Sequence, residues 1–210
     1  ASFGSLNPSG ANFRSLPPTT SPQRYFPRLS RVVQGGLTQT NPAPGAAWES
    51  VSEIERNLGF AFTVRDNAAG GGQVVSDVLN VRVLKAAGPF SVTSQAGEQV
   101  YQAGSVQEIT WDVANTDLAP VNAQNVDIFL SLDGGLTFPI TLLENTLNDG
   151  SAEILLPGDE TTTGRVMVKA SDNIFFAVNS TNFTVEQSEV VLSFGTLEYE
   201  VCQPGDIIIP

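Results

Sequence analysis

The chain contains no histidine, one cysteine (Cys202), one methionine and two tryptophans in 210 residues. The missing histidine removes the commonest general base and the commonest zinc ligand. A Ser-His-Asp triad, a Cys-His dyad and an HExxH metal site are all impossible within these residues. A single cysteine cannot close an internal disulfide, and sparse cysteine does not by itself fix a compartment. Basic residues are scarce as well: 10 Lys and Arg stand against 22 Asp and Glu, a formal net charge of −12. Without a basic stripe, nucleic-acid binding lacks its electrostatic footing, and so does attachment to anionic membrane surfaces. No apolar run approaches the roughly 20 residues that a membrane helix needs. The opening residues, Ala1-Ser-Phe-Gly-Ser-Leu-Asn-Pro8, lack the basic and apolar regions of a signal peptide, so an export signal is expected to lie elsewhere.

What is present is a strand former's sequence. Apolar residues make up 41%, enough for a packed core and too many for wholesale disorder. Period-two alternation marks 90–93, Glu108-Ile-Thr-Trp-Asp-Val113, 126–132, 152–156, 165–169 and Phe183-Thr-Val185. Turn formers separate them: Asp133-Gly-Gly135, Asn148-Asp-Gly150 and Pro157-Gly158. Short strands at this spacing, with no amphipathic helix between them, predict an antiparallel β-sandwich of immunoglobulin or fibronectin type over 87–186. Trp111 is placed to be its core tryptophan.

The first 86 residues differ. Residues 1–46 hold most of the 13 prolines and read as loop or extended chain, most plainly at Leu16-Pro-Pro-Thr-Thr-Ser-Pro22. Two convincing strands follow, 59–65 and 77–84, flanking the loop Asp66-Asn-Ala-Ala-Gly-Gly-Gly72 as a hairpin. Two strands are marginal alone. Either shorter strands hide among 24–50, or 1–86 is a partial module, the C-terminal part of a sandwich that begins upstream. The segments Val64-Arg-Asp-Asn67 and Val168-Lys-Ala-Ser-Asp-Asn173 share a strand-then-Asp-Asn pattern, a hint of tandem modules. The fold class expected is thus all-β, with tandem sandwich modules. Residues 187–210 add Val190-Val-Leu-Ser-Phe194, 197–201 and Asp206-Ile-Ile-Ile-Pro210, the expected start of a further β module.

Several phrases of the sequence are distinctive in series: Asn12-Phe-Arg-Ser-Leu-Pro-Pro-Thr-Thr-Ser-Pro22, Arg24-Tyr-Phe-Pro-Arg-Leu29, Phe62-Thr-Val-Arg-Asp-Asn67, Gly70-Gly-Gly72 and Ala87-Gly-Pro-Phe-Ser-Val-Thr93. They continue with Ile109-Thr-Trp-Asp-Val113, Leu130-Ser-Leu-Asp-Gly-Gly-Leu-Thr-Phe-Pro139, Asn148-Asp-Gly-Ser151 and Asn173-Ile-Phe-Phe176. Over nearly its whole length the chain resembles the region downstream of the catalytic domain in large secreted, reprolysin-like zinc metalloproteases of bacteria, Bacteroidetes-type above all. That family carries its zinc site upstream, so peptidase activity does not transfer to these residues. The resemblance implies a secreted or cell-surface location and an upstream catalytic domain as partner. It also implies a first module, PKD- or immunoglobulin-like, that begins before Ala1. A segment like Val201-Cys-Gln-Pro-Gly-Asp206 opens the next module there. Cys202 is read as pairing with a cysteine beyond residue 210, with a buried free thiol as the alternative.

Chemistry separates the candidate sites. Ser131-x-Asp133-x-Gly135-x-Thr137-Phe138 resembles the Asp-box of sialidases and related propellers, where the motif is structural and lies away from the catalytic face. One copy without an arginine triad favours a plain turn, with Asp133 accepting backbone N–H groups. Asp112 with Asp117, or Glu153 with Asp159, offer paired carboxylates, but exposed strand faces collect acids without making a cleft. Asp66, Asn67 and Asp77 bracket a glycine-rich loop and present hard oxygen atoms suited to calcium; loop capping is the plainer account. Asn179-Ser-Thr and Asn182-Phe-Thr fit the N-glycosylation pattern. Of Phe175 and Phe176, one at most is expected free to touch a ligand. No catalytic or cofactor residue is assigned. The function expected is a non-catalytic accessory region, a spacer, stabiliser or substrate-presenting surface. A glycan- or surface-binding adhesion module is the alternative.

Overall fold

A computed structural model describes residues 3–41, 43 and 48–187. Among these residues the chain is all-β, with one helical turn, α1 (Leu29–Val32). Strands β1 (Arg56–Arg65) and β2 (Val74–Val83) form a hairpin. The rest builds two facing sheets. The smaller is β3 (Ser91–Val92), β5 (Val106–Asp112) and β8 (Ser151–Leu155), in spatial order β3-β5-β8. The larger runs β4 (Val100–Gln102), β11 (Phe183–Glu186), β9 (Thr161–Ala170), β6 (Asn125–Ser131) and β7 (Ile140–Leu147), with β10 (Phe176–Val178) also paired to β9. Pairing is antiparallel except between β4 and β11, which run parallel.

Alternation decides which side chains face the core. Ile109 and Trp111 point inward from β5, Ile154 from β8, Val126, Ile128 and Leu130 from β6, and Val166 and Val168 from β9. Phe183 and Val185 close the cluster from β11. Trp111 is buried, and its indole N–H donates to Asn148 Oδ1 at 2.9 Å. The Asn148 amide donates onward to Thr116 Oγ1 at 3.0 Å and to the Ala123 carbonyl at 2.9 Å. One buried amide thus satisfies the tryptophan and pins the β5–β6 connection at two points. Gly164 is required by contact: a Cβ there would sit 2.6 Å from the Phe183 ring.

The large sheet bulges where Val126 pairs with Thr146 but Ile128 pairs with Leu143. The extra residue is absorbed at Asn145, which takes φ of 54°. Its N–H donates to Asp127 Oδ1 at 2.8 Å, and the Ser171 hydroxyl donates to the same oxygen at 2.8 Å.

The irregular parts of the chain can be set against the expectations. No strands occupy 24–50 among the described residues; two isolated bridges, Gly4↔Thr40 and Phe13↔Glu49, and the turn α1 stand there. Prolines remove ladder donors through this stretch, and side chains take up its backbone groups instead. The residues before Leu84 contribute a hairpin and no second sheet packed on it, so tandem sandwiches are not seen among the described residues. The link from β6 to β7 is longer than the turn Asp133-Gly-Gly135: Leu130 pairs with Ile140, leaving 131–139 outside that ladder. The runs at 190–194, 197–201 and 206–210, with Cys202, lie outside the described residues.

Replacing Trp111 with Ala is expected to cost about 3–5 kcal/mol through the cavity it leaves. Asn148→Ala is expected to cost about 1–3 kcal/mol by orphaning the indole N–H. Urea unfolding followed by fluorescence of the remaining tryptophan for the first variant, and of both for the second, measures each; an unchanged midpoint contradicts the core assignment.

Candidate functional site

Start from the turn that resembles an Asp-box. Asp133 Oδ1 accepts the N–H groups of Leu136 and Thr137 at 3.0 and 2.9 Å and the Ser131 hydroxyl at 2.7 Å. Its Oδ2 accepts the Thr137 hydroxyl at 2.7 Å. Ser131 Oγ in turn accepts the Gly135 N–H at 2.9 Å. Partial burial works to raise the Asp133 pKa, yet bonds from Thr137 and Ser131, with a further one from Leu136, outweigh it and hold the carboxyl at about 2. The polar atoms that define the motif are therefore consumed within the loop. The turn is structural, as its chemistry suggested.

The other candidate sites come apart on geometry. Asp66 Oδ1 accepts the N–H groups of Ala68 and Gln73 at 3.1 and 3.0 Å, and those bonds, outweighing slight desolvation, hold its pKa low. Asp77 stands opposite Phe62, three residues beyond the Arg65↔Val74 pair that borders Asp66. At about 3.4 Å per residue that separates the two carboxylates along the strand by about 10 Å. Asp112 Oδ1 caps the N–H of Ala114, while Glu153 lies directly across from Glu108 on an exposed face. Asn179 is 1% exposed; its Oδ1 accepts the Val166 N–H and its amide donates to the Gln95 and Thr181 carbonyls. It is a structural cross-brace and no glycan acceptor. Phe175 and Phe176 are both engaged, against Phe90 at 4.9 Å and Tyr25 at 5.1 Å, because 175 precedes β10 and escapes strict alternation.

The Tyr25 contact belongs to a feature that periodicity does not reveal. Met167 and Arg165 face away from the core, yet are 1% and 8% exposed. Tyr25 covers this side at Phe176. Val33 covers it at Gly135, where a Cβ would lie 2.5 Å from Val33 Cγ1 and 3.4 Å from Arg165 Cγ. Burial lowers the Arg165 pKa; its guanidinium donates to Asn182 Oδ1 and to the Asn179 carbonyl. The covering segment is held by Glu49, whose side chain is 2% exposed. Glu49 accepts from Arg24 at 3.0 Å, from Arg28 Nε at 3.2 Å and from the Arg28 N–H at 2.8 Å. Arg24 also reaches the Arg14 carbonyl at 2.6 Å and lies 4.3 Å over the Phe26 ring. Between this segment and the Asp133 turn is an open depression of about 330 Å³, lined by Arg24, Tyr25, Arg28, Leu29 and Leu136 among others.

The hairpin is the remaining surface of note. Its register puts Leu58, Phe60, Phe62 and Val64 of β1 on one face with Val81, Leu79, Asp77 and Val75 of β2. Near the base that face is covered. Phe60 packs on Phe26 and Phe13 at 4.8 and 5.9 Å, and Arg56 donates to the Asn7 and Gly10 carbonyls and to Asn12 Oδ1. Beyond Phe60 nothing among the described residues covers it: Phe62 is 59% exposed, Val64 53%, Val75 68% and Leu79 57%.

No protein-family model matches the chain, and no curated protein matches it in sequence. Fold and surface define an all-β protein built on a two-sheet sandwich, with an irregular cover on one sheet and an apolar hairpin standing beside it. No group of three or more acidic or sulfur side chains placed to hold a metal ion occurs among the described residues, and no helix among them is long and apolar enough to cross a membrane.

Asp133 gives a pH test. Its folded pKa is about 2 against an ordinary 3.8, so its stabilisation is full above the ordinary value and fades as pH falls through the folded one. Asp133→Asn is expected to lower the urea midpoint at neutral pH and to flatten its decline across that acid window. Equal acid slopes for both proteins contradict the assignment.

Proposed function

We propose that this chain is a non-catalytic accessory region of a secreted bacterial zinc metalloprotease, working as a stabilising spacer beside the catalytic domain. The observation that carries the reading is the hairpin: an apolar face, covered at its base and open beyond, is a surface built for a neighbouring domain. The order of motifs along the sequence supports the family. The division into β3-β5-β8 and β4-β11-β9-β6-β7 supports assigning the sandwich to the immunoglobulin or fibronectin type. The internal use of Asp133, Asp66, Asp112 and Asn179 supports a structural rather than a chemical role for the conspicuous polar residues. A glycan-binding role draws less support, since Phe175 and Phe176 are spent on intramolecular contacts.

The test compares the parent protein with a form lacking residues 3–187. Deletion is expected to leave turnover of a short peptide by the catalytic domain unchanged while shortening its half-life at raised temperature severalfold. A parent gene without an upstream HExxH-containing domain, or identical half-lives, overturns the proposal.

A further inference from the structure

From the hairpin face we infer that its uncovered half is a docking surface for an extended β-segment of a neighbouring domain, one that is apolar on its facing side and presents a single cation to Asp77. The inference rests on the accessory reading only in taking the occupant to be a neighbouring domain.

Three observations converge on that occupant. The first is continuity. Phe13 and Phe26 already form a layer over Phe60, and Arg56 ties residues 7–12 beneath it; the open residues Phe62, Val64, Val75 and Leu79 extend the same face outward. An apolar strip already used as core for half its length is completed by more of the same kind of cover.

The second is access. Among the described residues β1 and β2 pair only with each other, so no neighbouring strand stands beside the open face, and an extended segment can lie across it from either side.

The third is charge. Asp77 sits within the apolar face, opposite Phe62 and between Val75 and Leu79. One of its oxygens accepts the neighbouring Val78 N–H at 2.8 Å; among the described residues the other has no partner. Covering the face buries that carboxylate, which is costly unless a donor or cation arrives with the cover. A second copy of the chain brings no free one on the same face, since its Arg56 is taken up by the Asn7 and Gly10 carbonyls and Asn12. It presents the same apolar face and the same Asp77, and two chains of net charge −12 repel. A cation on the incoming strand resolves the burial and sets the register, the role charge plays best at such contacts.

The full chain is titrated with two synthetic peptides, Val-Thr-Val-Thr-Lys-Thr-Val-Thr-Val and its counterpart with Glu in place of Lys, and binding is read from amide chemical shifts. The Lys peptide is expected to shift signals of residues 60–64 and 75–79, to bind about tenfold tighter than the Glu peptide at low salt, and to lose that margin as salt rises. Asp77→Asn, nearly isosteric, is expected to bring the two affinities together, and Phe62→Ser to weaken both; unchanged signals from the Trp111 core show that each variant remains folded. Equal affinities for the two peptides, shifts confined to other surfaces, or no binding up to about 1 mM overturn the inference. So does concentration-dependent dimerisation through these residues, which assigns the face to a second copy. The two proposals fail separately: deleting residues 3–187 without effect removes the accessory role and leaves the peptide result standing, and silent peptides leave the accessory role intact.

Discussion

Strand β9 is buried on both of its faces, and most of the remaining structure answers that constraint. A strand in a two-sheet sandwich normally hides one row of side chains and shows the other to water. Here Val166 and Val168 face the core while Arg165 and Met167, pointing the opposite way, are almost as deeply covered. Water is excluded from the second row by Tyr25, Val33 and their neighbours. That cover has no regular ladder of its own, so its shape depends on side chains. Glu49 gathers Arg24 and Arg28, Ser52 bonds the Ser5 and Ile54 carbonyls, and Ser50 bonds the Gln39 backbone.

The sandwich was legible in the sequence because its signal is local. The alternation Ile109-Thr-Trp111 and the row Val126, Ile128, Leu130 state which side is in, and Asp133-Gly-Gly135 announces a change of direction. Trp111 takes the core place its position on the strand suggested. The cover was not legible, since nothing in Arg24-Tyr-Phe-Pro-Arg28 shows periodicity. Its partners are distant in sequence: Glu49 lies 25 residues from Arg24, and Phe176 is farther still. Even the buried character of Met167 and Arg165 was hidden, because period two assigns them to water.

The candidate surface divides in the same way. The strands of the hairpin could be read, yet their consequence could not. A pattern such as Phe60-Ala-Phe62-Thr-Val64 reports that one face is apolar but not whether anything covers it, and only the pairing register places Asp77 opposite Phe62. Asn179 shows the converse limit. Its sequon is a three-residue pattern, whereas its burial is decided by Gln95, 84 residues away.

The parallel contact between β4 and β11 has a mechanical meaning. The chain enters the sandwich beside Asp112, where Ser91 pairs and the Gly88 N–H meets the Ala114 carbonyl. It leaves at Glu186, beside Ala103 and close to the opposite end of β5, about 20 Å further along. Tension between the two ends pulls β11 along its own axis against β4, whose bonds at Thr184 to Gln99 and Ala103 to Glu186 lie across the direction of pull. Loaded in shear, such bonds must yield together rather than one after another. Resistance then depends on the rate of unfolding rather than on equilibrium stability.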